Sequence, residues 1–498
     1  MQRWGVRAVR AVSACSEPAT FKSTINRRVA RHGLRHHGTR TATARVPTTE
    51  PGLPPGSPSK SASTTTSHGQ RSTPVKKDVD PYALVSSDLE HVRTNLIKLL
   101  GSANPTLTSV ASYYFKHPSK QLRPLLVLLF AQATNGLGGR WEEKCAESIG
   151  ERADLDWPLS RPDILTDWNP NMPEHTSSFE SAFELVPPTL NNPPHIPAYA
   201  PPTPRTSSSS ILPTQVRLAQ IVEMIHVASL LHDDVIDESS LRRCAPSAPA
   251  AFGSKISILA GDFMLGRASA ALSRLGDAEV VELMSCVVAN LVEGEVMQMR
   301  QIIPAELGLS SDGEHKLRGT ESIIQTAGSS RVSQEVWNVY LKKTFLKTAS
   351  LMAKSVRASV VLGGAREGEV WKEVAYAYGR NLGIAFQLVD DILDYEAGEG
   401  TLGKPGGADL HLGLATGPAL FAWEEHPSMG PLIERKFERS GDVELARDLV
   451  RRSSGVERTR DLARAHADKA REVLQLLPVS DARRALEVVC ERMMKRTR

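Results

Sequence analysis

The 498-residue chain is predicted to be all-α, one large single-domain helical bundle around a central apolar cavity. Three observations predict it. From about Pro81 onward, apolar residues recur at spacings of three and four, the period of an amphipathic helix. No convincing run alternates apolar and polar residues as a half-buried strand does. The segment TQVRLAQIVEMIHVASLLHDDVIDE (214–238) is apolar around most of its helical circumference, the mark of a buried central helix.

Residues 1–49 carry nine arginines and one lysine against a single acid, Glu17, and are rich in Ser, Thr and Ala without a long apolar core. That composition predicts a mitochondrial transit peptide rather than a secretory signal, and so a location in the mitochondrion. Residues 50–77 are too rich in Ser, Thr, Pro and Gly to bury a core and read as a disordered linker. The folded domain is expected over 78–498. ALVSSDLEHVRTNLIKLL (83–100) and LRPLLVLLFAQAT (122–134) read as amphipathic to buried helices. A Pro- and Ser-dense stretch at 137–212 is read as an insertion looping out between two helices, because so long a structureless loop is atypical inside a compact domain. A smaller polar insertion is expected at 304–332. Helical spacing suits 257–274, 278–301, 334–364, 368–395, 409–424, 428–440, 442–452, 455–477 and 479–495, ten or more helices in all with those before them.

A net charge of +4, concentrated in the leader, gives no argument for a nucleic-acid partner. No run of 18 or more apolar residues is present, so no membrane span is expected. Cys15, Cys145, Cys244, Cys286 and Cys490 form no C-x-x-C pair; an odd, scattered set predicts reduced, mostly buried thiols rather than a disulfide framework.

Two acidic clusters carry the chemistry. LLHDDVIDE (230–238) supplies Asp233, Asp234 and Asp237; FQLVDDILDY (386–395) supplies Asp390, Asp391 and Asp394. Spacing of one and four gathers three carboxylates near one helical face. In a dry cavity both desolvation and mutual repulsion oppose their ionisation, so cations are required between them. Hard divalent ions suit oxygen donors, and Mg²⁺ typically bridges one or two carboxylates to substrate phosphates. Basic residues cluster at matching points: Lys120 and Arg123 in HPSKQLRP, Arg242 and Arg243 just after the first cluster, Lys347 in YLKKTFLKTASL, and Lys404 in LGKPGGADL. Arg suits bidentate phosphate recognition and Lys acts as a point charge. No P-loop and no G-x-G-x-x-G opening a helix after a strand is present, so nucleotide chemistry is not indicated.

The set HPSKQLRP, EMIHVASLLHDDVIDESSLRR, AGDFMLGRA, YLKKTFLKTASL, FQLVDDILDY and LGKPGGADL resembles the trans-polyprenyl diphosphate synthase family. The resemblance runs from about 80 to the C-terminus, interrupted by the Pro/Ser insertion, and is nearest to the mitochondrial long-chain type, hexaprenyl to decaprenyl, that makes the ubiquinone side chain. It implies an isoprenoid-synthase bundle in which Asp233, Asp237 and Asp390 bind Mg²⁺, three ions per site, with Asp234, Asp391 and Asp394 supporting them directly or through water. It implies that Arg242, Lys347 and Lys404 contact the diphosphate of an allylic substrate. Lys120, Arg123, His226 and Arg243 would hold isopentenyl diphosphate. Thr348 and Gln387 would line the reacting centre. A homodimer, or a heteromer with a related subunit, and a place in the matrix or at the inner membrane's face are further implications.

Four and five positions before Asp233 stand Ser229 and Ala228, both small. One turn deeper along the helix, they are expected to leave a tunnel open for a growing chain, so that Ala228→Phe would shorten the product. Cys244 follows the Arg pair where the family usually has Gly. Pro118 and Ser119 stand where Gly is common, and Leu414 stands where many bacterial members have Lys. Three other readings stay open: a geranylgeranyl or farnesyl diphosphate synthase, a class I terpene cyclase, and a non-catalytic subunit of a heteromeric synthase.

Overall fold

The computed structural model describes residues 79–100, 102, 104–117, 119–155, 211–243, 245–302, 332, 334–396 and 407–496. The predicted leader and linker, most of the Pro/Ser insertion, the second polar insertion up to residue 331, and Pro118, Cys244 and Lys404 lie outside the described residues. The described residues belong to one unit, Lys76–Arg498.

Fourteen of the described helices are 9 residues or longer. The first four are α1 (Ser86–Leu99), α2 (Pro105–Lys116), α3 (Leu122–Thr134) and α4 (Trp141–Leu155). Next come α5 (Pro213–Ile236), a two-residue antiparallel pair β1 (Leu241–Arg242) and β2 (Ala245–Pro246), α6 (Ser254–Ser273) and α7 (Ala278–Ile302). A long rod comes after them, made of α8 (Gln334–Thr344), a π-helical turn Phe345–Ala349 and α9 (Ser350–Leu362). The last five are α10 (Val370–Glu396), α11 (Gly417–Glu425), α12 (Asp442–Arg452), α13 (Gly455–Leu474) and α14 (Asp481–Met494). The helix expected at 409–424 is two pieces, Ala408–His411 and α11, because Gly413 takes φ +75° between them. The insertion expected from 137 begins later: Trp141–Leu155 is helix α4, its acidic first turn at Glu142 and Glu143 suited to a helix N-terminus.

Helix α5 is the axis, with most of its side chains buried, as its all-round apolarity requires. It packs on α3, α6 and α9. Helix α9 also packs along α10, so the helices bearing the two acidic clusters flank one shared neighbour. Gln215 fastens this junction. Its side chain accepts from the Leu212 amide at 2.9 Å, exchanges hydrogen bonds with Asn135 at the end of α3, and donates to the Ser359 carbonyl of α9 at 2.9 Å. Arg217 donates to the carbonyl of Leu155. Leu155, the last residue of α4, is thereby held against α5.

The π turn presents two of the sequence-predicted site residues, Lys347 and Thr348. A wide turn shifts side-chain register and is often found at functional sites. It needs close neighbours: a Cβ added to Gly383 of α10 would come 2.5 Å from Ala349 Cα, and one on Gly294 of α7 would come 2.7 Å from Lys347 Cγ. Glycines thus let two helices press on the segment that carries these side chains. No described helix is long and apolar enough to cross a membrane. Cys145, Cys286 and Cys490 are free thiols. Only Cys490 is buried, beside the Tyr378 hydroxyl; Cys286 is exposed, because it lies on the outer face of α7.

Candidate active site

A cavity of about 970 Å³ opens between α3, α5, the π turn, α10 and α14. Along α5 its wall is Glu223, His226, Leu230, Asp233 and Asp237, spaced by three and four so that they share one helical face. From α10 come Phe386, Gln387, Asp390 and Asp391. Lys120, Arg123, Ser229, Arg242, Arg243, Lys347 and Thr348 also line it. Lys404 lies outside the described residues; the other sequence-predicted residues are brought together from both halves of the chain, with three exceptions. Asp234 and Asp394 face protein, and Ala228 is fully buried in the core rather than on the wall. Alongside these charges stand Leu122, Leu125, Val489 and Met493, so the wall is mixed.

The carboxylates are electrostatically uneasy. Burial pushes Asp233 up to about 7; Lys347 opposes the rise while Glu295 and Asp237 add to it. Burial raises Asp237 as well. Asp390 is pushed up to about 6 by burial, against the pull of Arg496. Such groups gain most from a bound cation. Among the described residues no three His, Cys, Asp or Glu groups converge on one point that could hold a metal. A donor set of one or two carboxylates, completed by phosphate oxygens, is how Mg²⁺ is commonly held, and Asp233, Asp237 and Asp390 fit that role.

Asp234 has other partners. It is fully buried, accepts from Arg242 Nε at 2.7 and 2.8 Å, is paired with Arg242 Nη2 at 2.5 Å, and takes the hydroxyl hydrogen of Tyr114. Asp394 spends both oxygens on the amides of Ala408 (3.0 Å) and Asp409 (3.2 Å), so it anchors the short helix there. Asp391 takes the Tyr340 hydroxyl and accepts from Gln387 Nε2 at 2.9 Å, while Thr348 donates to Gln387 Oε1 at 2.9 Å. Asp234 and Asp394 thus turn their oxygens to protein groups, while Asp391 stands on the cavity wall with its carboxylate held by Tyr340 and Gln387.

The basic groups form two sets. Lys347 Nζ is held by Glu295 and donates to Gln298 Oε1 at 3.1 Å, both from α7. Deeper toward α3, Arg123 Nη1 lies 3.0 Å from His226 Nε2. Arg has no acceptor, so His226 accepts there and carries its proton on Nδ1. Burial, then Arg123 and Arg243, hold His226 well below the usual histidine range, so it is neutral at pH 7. Arg123 Nε is buried without a hydrogen-bond partner among the described residues, a donor suited to an anion. Arg243 itself sits in the left-handed region, at φ +53°.

Sequence reasoning missed several wall residues. Gln298 was legible in principle, as a polar residue within the apolar α7; Glu295, three residues before it, is not on the wall but holds Lys347. Asp409, pushed up to about 8 by burial and then by Asp391 and Asp394, stands in the same LGKPGGADL stretch as Lys404. Arg496 donates to Asp390 Oδ1 at 2.7 Å with its guanidinium carbon 4.5 Å from the Phe386 ring centre. A basic C-terminus carries no local signal for such a contact.

Comparison with known proteins agrees with this geometry. Residues 204–450 match the polyprenyl synthetase family model. The probable mitochondrial hexaprenyl pyrophosphate synthase of Yarrowia lipolytica is 43% identical over 436 residues, covering 86% of each chain. The mitochondrial hexaprenyl pyrophosphate synthase of Saccharomyces cerevisiae is 41% identical, covering 84% of this chain and 90% of its own. A polyprenyl synthase of Caulobacter crescentus, solved with calcium and isoprenyl diphosphate, is 25% identical with a TM-score of 0.59, covering 85% of this chain and all of its own. The bundle, the paired acidic helices and the basic pocket between them are thus those of a prenyltransferase, and the chain belongs to the polyprenyl synthetase family.

Proposed function

We propose that this cavity extends an allylic diphosphate, such as farnesyl diphosphate, by successive trans condensations with isopentenyl diphosphate, giving an all-trans chain of hexaprenyl to decaprenyl length for the ubiquinone side chain. The observation that carries the reading is the pairing, in one cavity, of two acidic walls with the separate basic pocket of Arg123, His226 and Arg243. A terpene cyclase has no use for that second pocket, and a non-catalytic subunit has no need to keep Asp233, Asp237 and Asp390 on its wall. The mitochondrial names of the Y. lipolytica, Neurospora crassa and S. cerevisiae relatives accord with the leader's composition.

Asp233, Asp237 and Asp390 would hold the Mg²⁺ ions, three per site, whose chemistry when bound would be to offset the charge of the leaving diphosphate. Arg242 and Lys347 supply donors to the same group, and electrostatic stabilisation of a leaving anion is where most of the rate enhancement would arise. Arg123, Lys120 and neutral His226 hold the second diphosphate. The C1–O bond of the allylic substrate breaks, the isopentenyl double bond attacks C1, and the released diphosphate takes the proton. No protein nucleophile is required.

Ser229 lines the cavity one turn below Asp233, whereas Ala228 is enclosed by core, so a Phe at 228 would overpack. Ser229→Phe is therefore the variant expected to shorten the product. Each isoprene unit buries about five carbons, worth on the order of 4 kcal/mol at about 0.8 per CH₂. Purified protein with Mg²⁺, farnesyl diphosphate and labelled isopentenyl diphosphate should yield long-chain product by chromatography, and Ser229→Phe a shorter distribution. Absence of extension by folded parent protein, both alone and with a related subunit added, would overturn the reading.

Assembly as a homodimer or with a related subunit is supported by apolar side chains exposed on neighbouring helices, Leu259 of α6 and Val292 and Val296 of α7. The Schizosaccharomyces pombe relative, 36% identical, is named subunit 1 of a decaprenyl-diphosphate synthase. Sedimentation of the purified chain should show a dimer; a monomer that gains activity on adding a second subunit would favour the heteromer.

A further inference from the structure

The second aspartate of each acidic cluster is built in the same way. Asp234 and Asp391 are 0% and 2% exposed, and each takes the hydroxyl of a tyrosine from another helix, Tyr114 of α2 and Tyr340 of α8. Each then holds one group that lines the cavity: Asp234 grips the guanidinium of Arg242, and Asp391 accepts from the amide of Gln387. The tyrosines are buried at 2% and 3% exposure, and both are further tied down. The Tyr114 oxygen accepts from the Ala248 amide at 2.8 Å; the Tyr340 ring packs edge-on against Trp337 at 5.7 Å between centres.

Two unrelated stretches of chain have thus arrived at one arrangement. A buried carboxylate needs its lone pairs satisfied, and a phenol does so without adding charge. The remaining oxygen capacity then fixes a flexible side chain. For Arg242 this removes rotamer freedom that would otherwise be lost on binding an anion. For Gln387 it sets the amide's sense: nitrogen toward Asp391, oxygen toward Thr348.

We propose that Tyr114 and Tyr340 are positioning residues, each clamping the second aspartate of a cluster so that it orients Arg242 or Gln387 toward the substrate, and leaving Asp233, Asp237 and Asp390 to meet the metal. The assignment rests on the prenyltransferase reading for the meaning of the oriented groups, but the clamp itself is tested by binding. In a titration of Mn²⁺ tracked by its free-ion electron paramagnetic resonance signal, with inorganic pyrophosphate present, Asp233→Asn should weaken Mn²⁺ by tenfold or more. Asp234→Asn and Tyr114→Phe should leave Mn²⁺ affinity within about threefold of the parent, since they touch no metal donor. In steady state, Tyr114→Phe should raise KM for farnesyl diphosphate about tenfold with KM for isopentenyl diphosphate unchanged. Tyr340→Phe should lower kcat about tenfold with both KM values unchanged. Asp234→Asn should add nothing in an Arg242→Ala background, as a residue acting through another must. Weakening of Mn²⁺ by Asp234→Asn comparable to that by Asp233→Asn, or additivity with Arg242→Ala, overturns the proposal. If Asp234→Asn fails to fold, the near-isosteric Tyr114→Phe carries the test, and a parent inactive alone and with a related subunit would sink the prenyltransferase reading while the Mn²⁺ comparison still decides the clamp.

Discussion

Asp233→Asn is expected to lower kcat/KM by on the order of a thousandfold, while making the metal-free protein more stable at pH 8. Loss of several kcal/mol of transition-state charge stabilisation, with tenfold per about 1.4 kcal/mol, sets the first magnitude. The second comes from linkage. Burial pushes Asp233 up to about 7, so between the unfolded carboxylate value near 4 and that pH the folded state binds the extra proton. Stability of the metal-free protein therefore falls as pH rises through this window, and above it a buried charge is left beside Asp237 and Glu295. Asparagine removes that charge. Adding Mg²⁺ with pyrophosphate should restore the parent's stability more at pH 8 than at pH 6, because at the lower pH protons on Asp233 and on Asp390, pushed up to about 6, compete with the ion. Thermal melts across pH 5.5–8.5, with and without Mg²⁺ and pyrophosphate, measure both. A variant that is less stable than the parent at pH 8, or a Mg²⁺ shift independent of pH, would contradict this linkage.

The same carboxylates show how far the sequence could be read. Spacing of one and four put Asp233, Asp234 and Asp237 on neighbouring positions of a helix, and period alone located that helix and its burial. What period cannot resolve is the rotation of a helix that is apolar all round. Asp233 and Asp234 differ by about 100° around α5, enough to aim one at the cavity and the other at Tyr114 and Arg242. The same rotation separates Ser229, on the wall, from Ala228, in the core. Residues joined across long separations were also out of reach. Arg496 meets Asp390 only because α14 packs on α3 and α10 beside the cavity, and nothing local in a basic C-terminus announces it. The π turn that presents Lys347 and Thr348 was hidden for another reason: a helix with one widened turn keeps an almost helical apolar period.

Arg123→Leu should be damaging in two separable ways. Arg123, Glu223 and Arg243 line the same pocket, and Glu223 is only 3% exposed. Burial raises the Glu223 carboxyl, and Arg123 and then Arg243 oppose the rise. Arg123 offsets the buried Glu223 charge through space, and removing an opposite charge near a buried carboxylate costs up to the ~3–5 kcal/mol of a broken buried pair. With Arg243 still present, the lower end of that range is expected for Arg123→Leu by urea unfolding at pH 8. The deficit should shrink as pH falls, since a folded-state carboxyl raised above its unfolded value favours the folded state in acid. Replacing both charges, as Arg123→Leu with Glu223→Leu, should recover most of the stability, because apolar side chains of similar volume are often no worse than buried opposite charges. Function should not recover with it. His226 Nε2 loses the donor that fixes its tautomer, and the pocket loses the buried Nε suited to an anion. KM for isopentenyl diphosphate should rise about a hundredfold in single and double variants alike, roughly the 2.7 kcal/mol of a charge-assisted bond lost to a phosphate, with KM for farnesyl diphosphate unchanged. A double variant that regained isopentenyl affinity along with stability would show that Arg123 serves the fold alone; one that regained stability only would separate the substrate pocket from the core that supports it.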